Sequence, residues 1–461
     1  MKIKIDLALN PNVILLVIDS FRADKFFNST TSKKPNIENL IKNGTYFNQA
    51  ISSADATILS WSGLYTGRHP FKTGIRSSRF NKLDEQVTTM FDVFQKSGYS
   101  FFSFIPTFSE TIGLFPNFEN ENNLYDFTER LNTGLGQKIL KIFSSLPSKD
   151  PWFLNIHLMD LHFPLVVPDS FKSERFGFSK YEQIISSIDN WIGELIKKID
   201  FENTILIVTA DHGSYIKKIK KNSEIIDYED DGENEILKKK IVAHTPKFLK
   251  PVKDKIFFSR EKKNIGKNID AISKYDLKPH EKRALLSGNF SIEHDLYDEK
   301  LCVPLLFIGK NIGKNIIFTK QVRLIDVLPS LCYLSKLDFD YTSIDGQNLF
   351  PIKSENIFEE LPAYIESNPM IDMKSDDVIG IRTSKFKYFR DKDVKTKRVH
   401  LFNLQTDPNE EDNIAQSHNS IVTEMEGILE SLLKTNRKIT INENELSSSE
   451  IENELKKMGY I

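Results

Sequence analysis

The sequence predicts an α/β fold on a doubly wound sheet, and three observations carry that expectation. Residues 12–18 (Asn-Val-Ile-Leu-Leu-Val-Ile), 152–159 and 204–209 (Thr-Ile-Leu-Ile-Val-Thr) are short runs that are largely apolar instead of alternating. Strands buried on both faces of a parallel sheet read this way. Segments of helical periodicity lie between them, so strand and helix alternate through the first part of the chain. At 461 residues with 39% hydrophobic residues, the chain can fill one large α/β core plus a smaller unit.

The elements follow in order. Residues 12–18 form the first strand, and residues 34–47 read as a short amphipathic helix closed by Gly44. Residues 58–66 are helical after a turn at Thr57, with Gly67 as the stop. A helix over 87–97 leads to a strand over 99–105, and the strands 152–159 and 204–209 flank a helix around 181–199. From 217 to 283 basic and acidic blocks alternate with weak apolar periodicity. That texture reads as a solvated insertion, with a substrate-gating lid or a contact between copies in a homo-oligomer as alternatives. A strand is entered again after the polar turn beginning at His294, and residues 322–334 form a helix. Residues 379–389 read as a pair of antiparallel strands. The expected division is a large domain over 1–352, a smaller α+β subdomain over 353–436 containing a short antiparallel sheet, and a polar tail over 437–461 with a terminal helix.

Bulk properties exclude some functions. A formal net charge of -2 gives no electrostatic case for nucleic acid as a partner. The start Met-Lys-Ile-Lys-Ile-Asp is too short and too charged for a secretory segment. No uncharged apolar run reaches the roughly 18 residues of a membrane span. Cys302 and Cys332 each sit in an apolar run and read as buried free thiols, which suits a reducing compartment. A cytoplasmic location is the expectation.

Four side chains near strand ends carry the chemistry. Asp19 follows the first apolar strand, at the edge where open α/β sheets place their sites, although a lone Asp there also caps helices. Asp211 and His212 follow the strand 204–209 and offer one hard oxygen and one borderline nitrogen to a metal. Thr57 precedes a helix; it reads either as an N-cap or as a hydroxyl nucleophile whose attack on an anion is favoured by the helix N-terminus. Ser60 could support it or simply cap. His162, just past the strand 152–159, could protonate a leaving group or bind an anionic oxygen, with a structural role as the alternative. His294 is a second candidate for anion binding or a turn residue. His157, inside the strand, reads as buried.

These segments resemble the sulfatase branch of the alkaline-phosphatase superfamily. Val-Ile-Asp19-Ser-Phe-Arg22-Ala-Asp24 resembles its first strand and metal aspartate, and Thr57 through Thr66-Gly67-Arg68-His-Pro70 resembles its nucleophile motif. His162-Phe-Pro is similar to its substrate histidine, Asp211-His212-Gly to its second metal pair, and Leu401-Phe-Asn-Leu-Gln-Thr-Asp407-Pro to its C-terminal element. The resemblance spans roughly residues 10 to 415 and implies an alkaline-phosphatase-like, mostly parallel sheet. The chain departs from that pattern at Thr57, where the family usually has a Cys or Ser matured to formylglycine, a route closed to Thr. Ser20 stands for a second aspartate, His212 for the Asn of many calcium sulfatases, and Trp61 for a supporting arginine. Pro106-Thr-Phe108 stands where a Lys-Trp-His is usual.

The Thr-bearing set resembles relatives acting on phosphoryl groups. The expectation is therefore a hydrolase of phosphate (di)esters or sulfate esters, working through a covalent Thr57 intermediate. Asp19, Thr57, Asp211 and His212 would hold one divalent ion among Mn, Zn, Mg and Ca. The imidazole favours Mn or Zn, since an all-oxygen site would favour Mg or Ca. The implied substrate is a small-molecule, glycan or lipid-linked anionic ester. The alternatives are a phosphoglycerol- or phosphoethanolamine-type transferase and a catalytically inactive binding protein on a degenerate site.

Overall fold

The computed structural model describes residues 10–27, 31–75, 82–229, 268–287, 295–352, 354–367 and 377–435. His294, the stretch 230–267 and the tail 437–461 lie outside the described residues.

The main sheet contains β1 (Asn12–Ile18), β2 (Thr45–Ile51), β3 (Ser100–Pro106), β4 (Leu124–Tyr125), β5 (Trp152–Leu158) and β6 (Thr204–Thr209). A hairpin, β7 (Lys218–Lys221) and β8 (Glu224–Asp227), stands apart from it, and β9 (Cys302–Ile308), β10 (Ile316–Phe318) and β11 (Val322–Arg323) complete it. Its order is β10-β2-β9-β6-β1-β5-β3-β4, with β11 also on β2. β1 lies between β5 and β6 and is parallel to both, with Val17 opposite His157 and Thr209. β9 runs antiparallel to β6 and β2, so the sheet is mixed but mostly parallel. Val13–Ile18 in β1 are all buried, as a strand covered on both faces requires.

Helix α1 (Pro35–Lys42) starts with Pro35, whose missing N–H costs nothing in a first turn, and buries Ile37, Leu40 and Ile41. It ends earlier than the periodicity suggests. Thr45, Tyr46 and Phe47 belong to β2, where they are fully buried between β9 and β10. The expected helix over 322–334 is likewise shortened to Val327–Leu334. Arg323 sets the boundary, because its N–H and guanidinium both bond the buried Asp326 carboxylate and fix a tight turn.

The flanks of the 217–283 segment are more packed than a solvated insertion. Ile226, Ile272, Leu277 and Leu285 meet in a small apolar cluster. Ile226 is remote in the chain from the other three, so no local periodicity betrays the cluster. The second sheet, β12 (Ala363–Glu366), β13 (Val378–Arg382), β14 (Phe386–Asp391) and β15 (His400–Asn403), is wholly antiparallel. Asn419–Lys434 covers one face of it through Met425 and Leu429, while the opposite face packs on Leu296 and Leu301 of the large domain. Cys302 and Cys332 are free thiols. Among the described residues no helix is long and apolar enough to cross a membrane.

Candidate active site

Because β6, β1 and β5 are adjacent and parallel, their carboxyl ends deliver side chains to one edge of the sheet. Asp19 follows β1, Asp211 and His212 follow β6, and His162 follows β5 by four residues. Ligand atoms of Asp19, Asp211 and His212 lie within 4.8 Å of one another, and all three residues are buried. Thr57 opens helix α2 (Thr57–Thr66), whose cap residue is Ala56. Its hydroxyl makes no capping bond. Thr57 Oγ1 instead donates to Asp19 Oδ2 at 3.1 Å and stands 3.4 Å from His212 Nε2.

Local structure orients each member. Ser20 has a left-handed φ of 60°, a conformation uncommon for a residue with a side chain. There its N–H donates to Asp211 Oδ1 at 3.2 Å and its hydroxyl to Asp19 Oδ1 at 2.5 Å, tying the two carboxylates together. His212 Nδ1 lies 2.8 Å from the Gly213 carbonyl, an acceptor only, so Nδ1 carries a proton, and in the neutral ring the lone pair of Nε2 faces Thr57. Gly213 N–H donates to the Lys300 carbonyl at 2.6 Å, and any Cβ at 213 would overlap the Glu299 carbonyl. That close approach requires glycine.

The donor set suits a divalent cation. Asp211 Oδ2 is buried without a hydrogen-bond partner, beside a second buried carboxylate and a histidine whose lone pair faces inward. Burial, and then the charge of Asp19, push the Asp211 carboxyl up from its ordinary value. Burial would also raise Asp19, but the charge of His162, the approach of His157 and the charge of His212 hold it well below the usual carboxylate range. Burial disfavours the charged form of His212, yet the Asp211 and Asp19 carboxylates raise it overall. Two buried like charges a few ångströms apart are costly without a cation between them.

The remaining sequence candidates divide. His162 is close enough for its charge to act on Asp19, and its turn is tied down by Arg130, whose Nη2 is 3.5 Å from the His162 carbonyl, and by Leu131 N–H to Asp160 Oδ1 at 3.1 Å. Ser60 turns elsewhere: its hydroxyl bonds Ala54 O at 3.0 Å and Ser52 Oγ at 2.8 Å, which braces the loop before Thr57. Arg22 pairs with Asp24. His157 is the residue that sequence reasoning underrated. It is buried as expected, but its Nε2 is 3.7 Å from Asp19 Oδ2.

Comparison with known proteins bears on the family and the fold. The family model described as Sulfatase matches residues 11–332. Arylsulfatase K of Rattus norvegicus is 22% identical over 477 residues, covering 93% of this chain and 79% of its own length. Arylsulfatase K of Canis lupus familiaris is 23% identical, covering 92% and 82%. The phosphonate monoester hydrolase of Agrobacterium radiobacter superposes with a TM-score of 0.65 at 14% identity, over 92% of this chain and 96% of its own. BT4656, solved with its substrate D-glucosamine-2-N,6-O-disulfate, gives 0.63 at 13% identity, over 95% and 100%. At these identities the structural likeness speaks for the fold.

Proposed function

The chain belongs to the sulfatase family of ester hydrolases, and from that premise we propose that Thr57 is the nucleophile toward a monoanionic sulfate ester or phosphate diester. The observation that carries this reading is the Thr57 hydroxyl at 3.1 Å from Asp19 Oδ2 and 3.4 Å from His212 Nε2, at the start of a buried helix. Asp19, Asp211 and His212, with Thr57 Oγ1, would hold one divalent ion, Mn²⁺ or Zn²⁺ suiting the mixed oxygen and nitrogen donors. Such an ion would lower the pKa of a neighbouring hydroxyl and polarise an ester oxygen.

The residues supply the rest. Asp19 Oδ2 accepts the hydroxyl's hydrogen bond and fixes the direction of Oγ1. Backbone N–H groups in the first turn of α2 favour an anion there. Oγ1 passes its proton to Asp19 Oδ2, which accepts its hydrogen bond. It forms a bond to sulfur or phosphorus as the bond to the departing alcohol oxygen breaks, and His162 gives that oxygen its proton. Water then attacks the same central atom and gives a proton back to His162, the Oγ1 bond breaks, and Asp19 returns the proton that restores the Thr57 hydroxyl.

Sulfate esters are favoured by the family, and the substrate reported for BT4656 suggests an anionic sugar ester. Phosphate diesters are favoured by Thr57 itself. A threonyl ester must be cleaved by displacement at the central atom, and both substrates bring one negative charge. The test is turnover of p-nitrophenyl sulfate and bis-p-nitrophenyl phosphate by the Mn²⁺-loaded protein. Thr57→Ala should lose at least about 10³-fold of the preferred activity with unchanged thermal unfolding. Activity retained in that variant overturns the nucleophile, and the ratio of the two rates separates the substrates.

A further inference from the structure

We propose that Trp61 and His157 form a buried relay that holds Asp19 in the orientation the metal centre needs, both acting as positioning residues. The inference rests on the metal centre described above. Trp61, His157 and Asp19 are all fully buried. Trp61 Nε1–H donates to His157 Nδ1 at 3.2 Å. An indole N–H can only donate, so His157 Nδ1 is the acceptor and the neutral ring carries its proton on Nε2. That N–H faces Asp19 Oδ2 across 3.7 Å and has no hydrogen-bond partner nearer by. Asp19 Oδ2 is also the oxygen that accepts from Thr57.

The relay is built stiffly. Trp61 stacks on Phe108 with ring centroids 5.5 Å apart, meets Phe115 edge-on at 5.2 Å, and meets the His157 ring edge-on at 4.8 Å. Tyr125 Oη donates to the His157 carbonyl. The parallel register sets Val17 opposite His157, two residues before Asp19. Trp61 therefore selects the tautomer, and two consequences follow. His157 presents a donor to the carboxylate, restricting its rotation. It also has no lone pair on Nε2 with which to compete for the ion, so the ligand group stays Asp19, Asp211 and His212. Groups that orient a metal ligand in this way typically contribute 10- to 100-fold in metal affinity.

The experiment is equilibrium dialysis of Mn²⁺ against the full chain, together with ¹⁵N spectra of labelled histidines in the metal-free protein. His157→Leu should weaken Mn²⁺ binding about 10- to 100-fold. His157→Gln, which returns an N–H near the Nε2 position, should restore most of it. Trp61→Phe keeps a ring in the aromatic cluster, and should shift the His157 signals away from the Nε2–H tautomer and weaken Mn²⁺ binding. Equal affinity in wild type and His157→Leu overturns the relay, as does an Nδ1–H tautomer in the wild type. Equal loss of thermal stability in Leu and Gln variants with unchanged Mn²⁺ affinity assigns His157 to packing and also overturns it. A wild-type protein that binds no Mn²⁺ overturns the metal centre, and the relay with it.

Discussion

Ser20 shows how much one residue can decide at this site. Its hydroxyl and its N–H each serve a different buried carboxylate, and it holds a left-handed φ of 60° to reach both. Two energies oppose each other here. A hydrogen bond to a charged group contributes about 1.5 to 3 kcal/mol, whereas a left-handed residue with a Cβ costs about 1 to 2 kcal/mol. Ser20→Ala removes the bond and keeps the strain, so urea denaturation should show a loss of about 2 kcal/mol. Ser20→Gly removes the bond and relieves the strain, so its loss should be smaller by about 1 kcal/mol. A glycine variant as unstable as the alanine variant would show that the backbone strain is not felt. Both should bind Mn²⁺ more weakly than wild type, since Asp19 and Asp211 are then no longer tied through one residue.

At the scale of elements, the strands that carry the ligands were legible and their neighbours were not. β1 and β6 announce themselves because burial on both faces leaves no polar alternation, and the Asp19 and Asp211 positions follow from their ends. β2 was hidden because Thr45-Tyr-Phe continues an amphipathic run beyond Gly44, and only pairing with β9 and β10 makes it a strand. His157 was legible as buried but not as a neighbour of Asp19, because that depends on β5 lying beside β1 in a given register, a non-local fact. The junction of the two sheets was equally hidden. Lys387 of β14 is fully buried and forms ion pairs with both Asp298 and Glu410, and Arg382 Nη2 reaches Asp298 Oδ2 at 2.8 Å. Burial, aided by the charge of Asp298 and opposed by Lys387, pushes the Glu410 carboxyl from 4.5 up to about 7. The fold thus binds this proton more tightly than the unfolded chain does. Its contribution to stability is complete below about pH 4.5 and is lost as pH rises to about 7. Glu410→Gln should remove that decline, so the melting temperatures of variant and wild type should diverge across this interval. Parallel curves would exclude Glu410 as the titrating group.

Over the whole molecule, the nucleophile loop is a meeting point. Ser52 N–H donates to Leu301 O at 2.8 Å, and Glu366 N–H donates to Ser53 O at 3.0 Å, where Ala54 and Glu366 form a parallel bridge between the large domain and the second sheet. Both units thus hold the residues that present Thr57, and global stability should respond to what occupies the site. Asp19 and Asp211 are buried carboxylates sharing one cluster with His212. Without an ion their repulsion weakens the fold, and an ion bound only by the folded state adds RT ln(1 + [L]/Kd), about 2.7 kcal/mol at 100 times Kd. For a chain of this size the unfolding entropy makes that roughly 3 °C. Scanning calorimetry of metal-stripped protein titrated with Mn²⁺ should therefore show a rise of that order. Asp211→Asn separates repulsion from ion binding. Removing one of two like charges should make the metal-free variant at least as stable as metal-free wild type, and should also abolish most of the rise on adding Mn²⁺. A variant less stable than wild type without metal, yet equally stabilised by it, would mean that Asp211 braces Ser20 and His212 through its Oδ1 bonds and holds no ion.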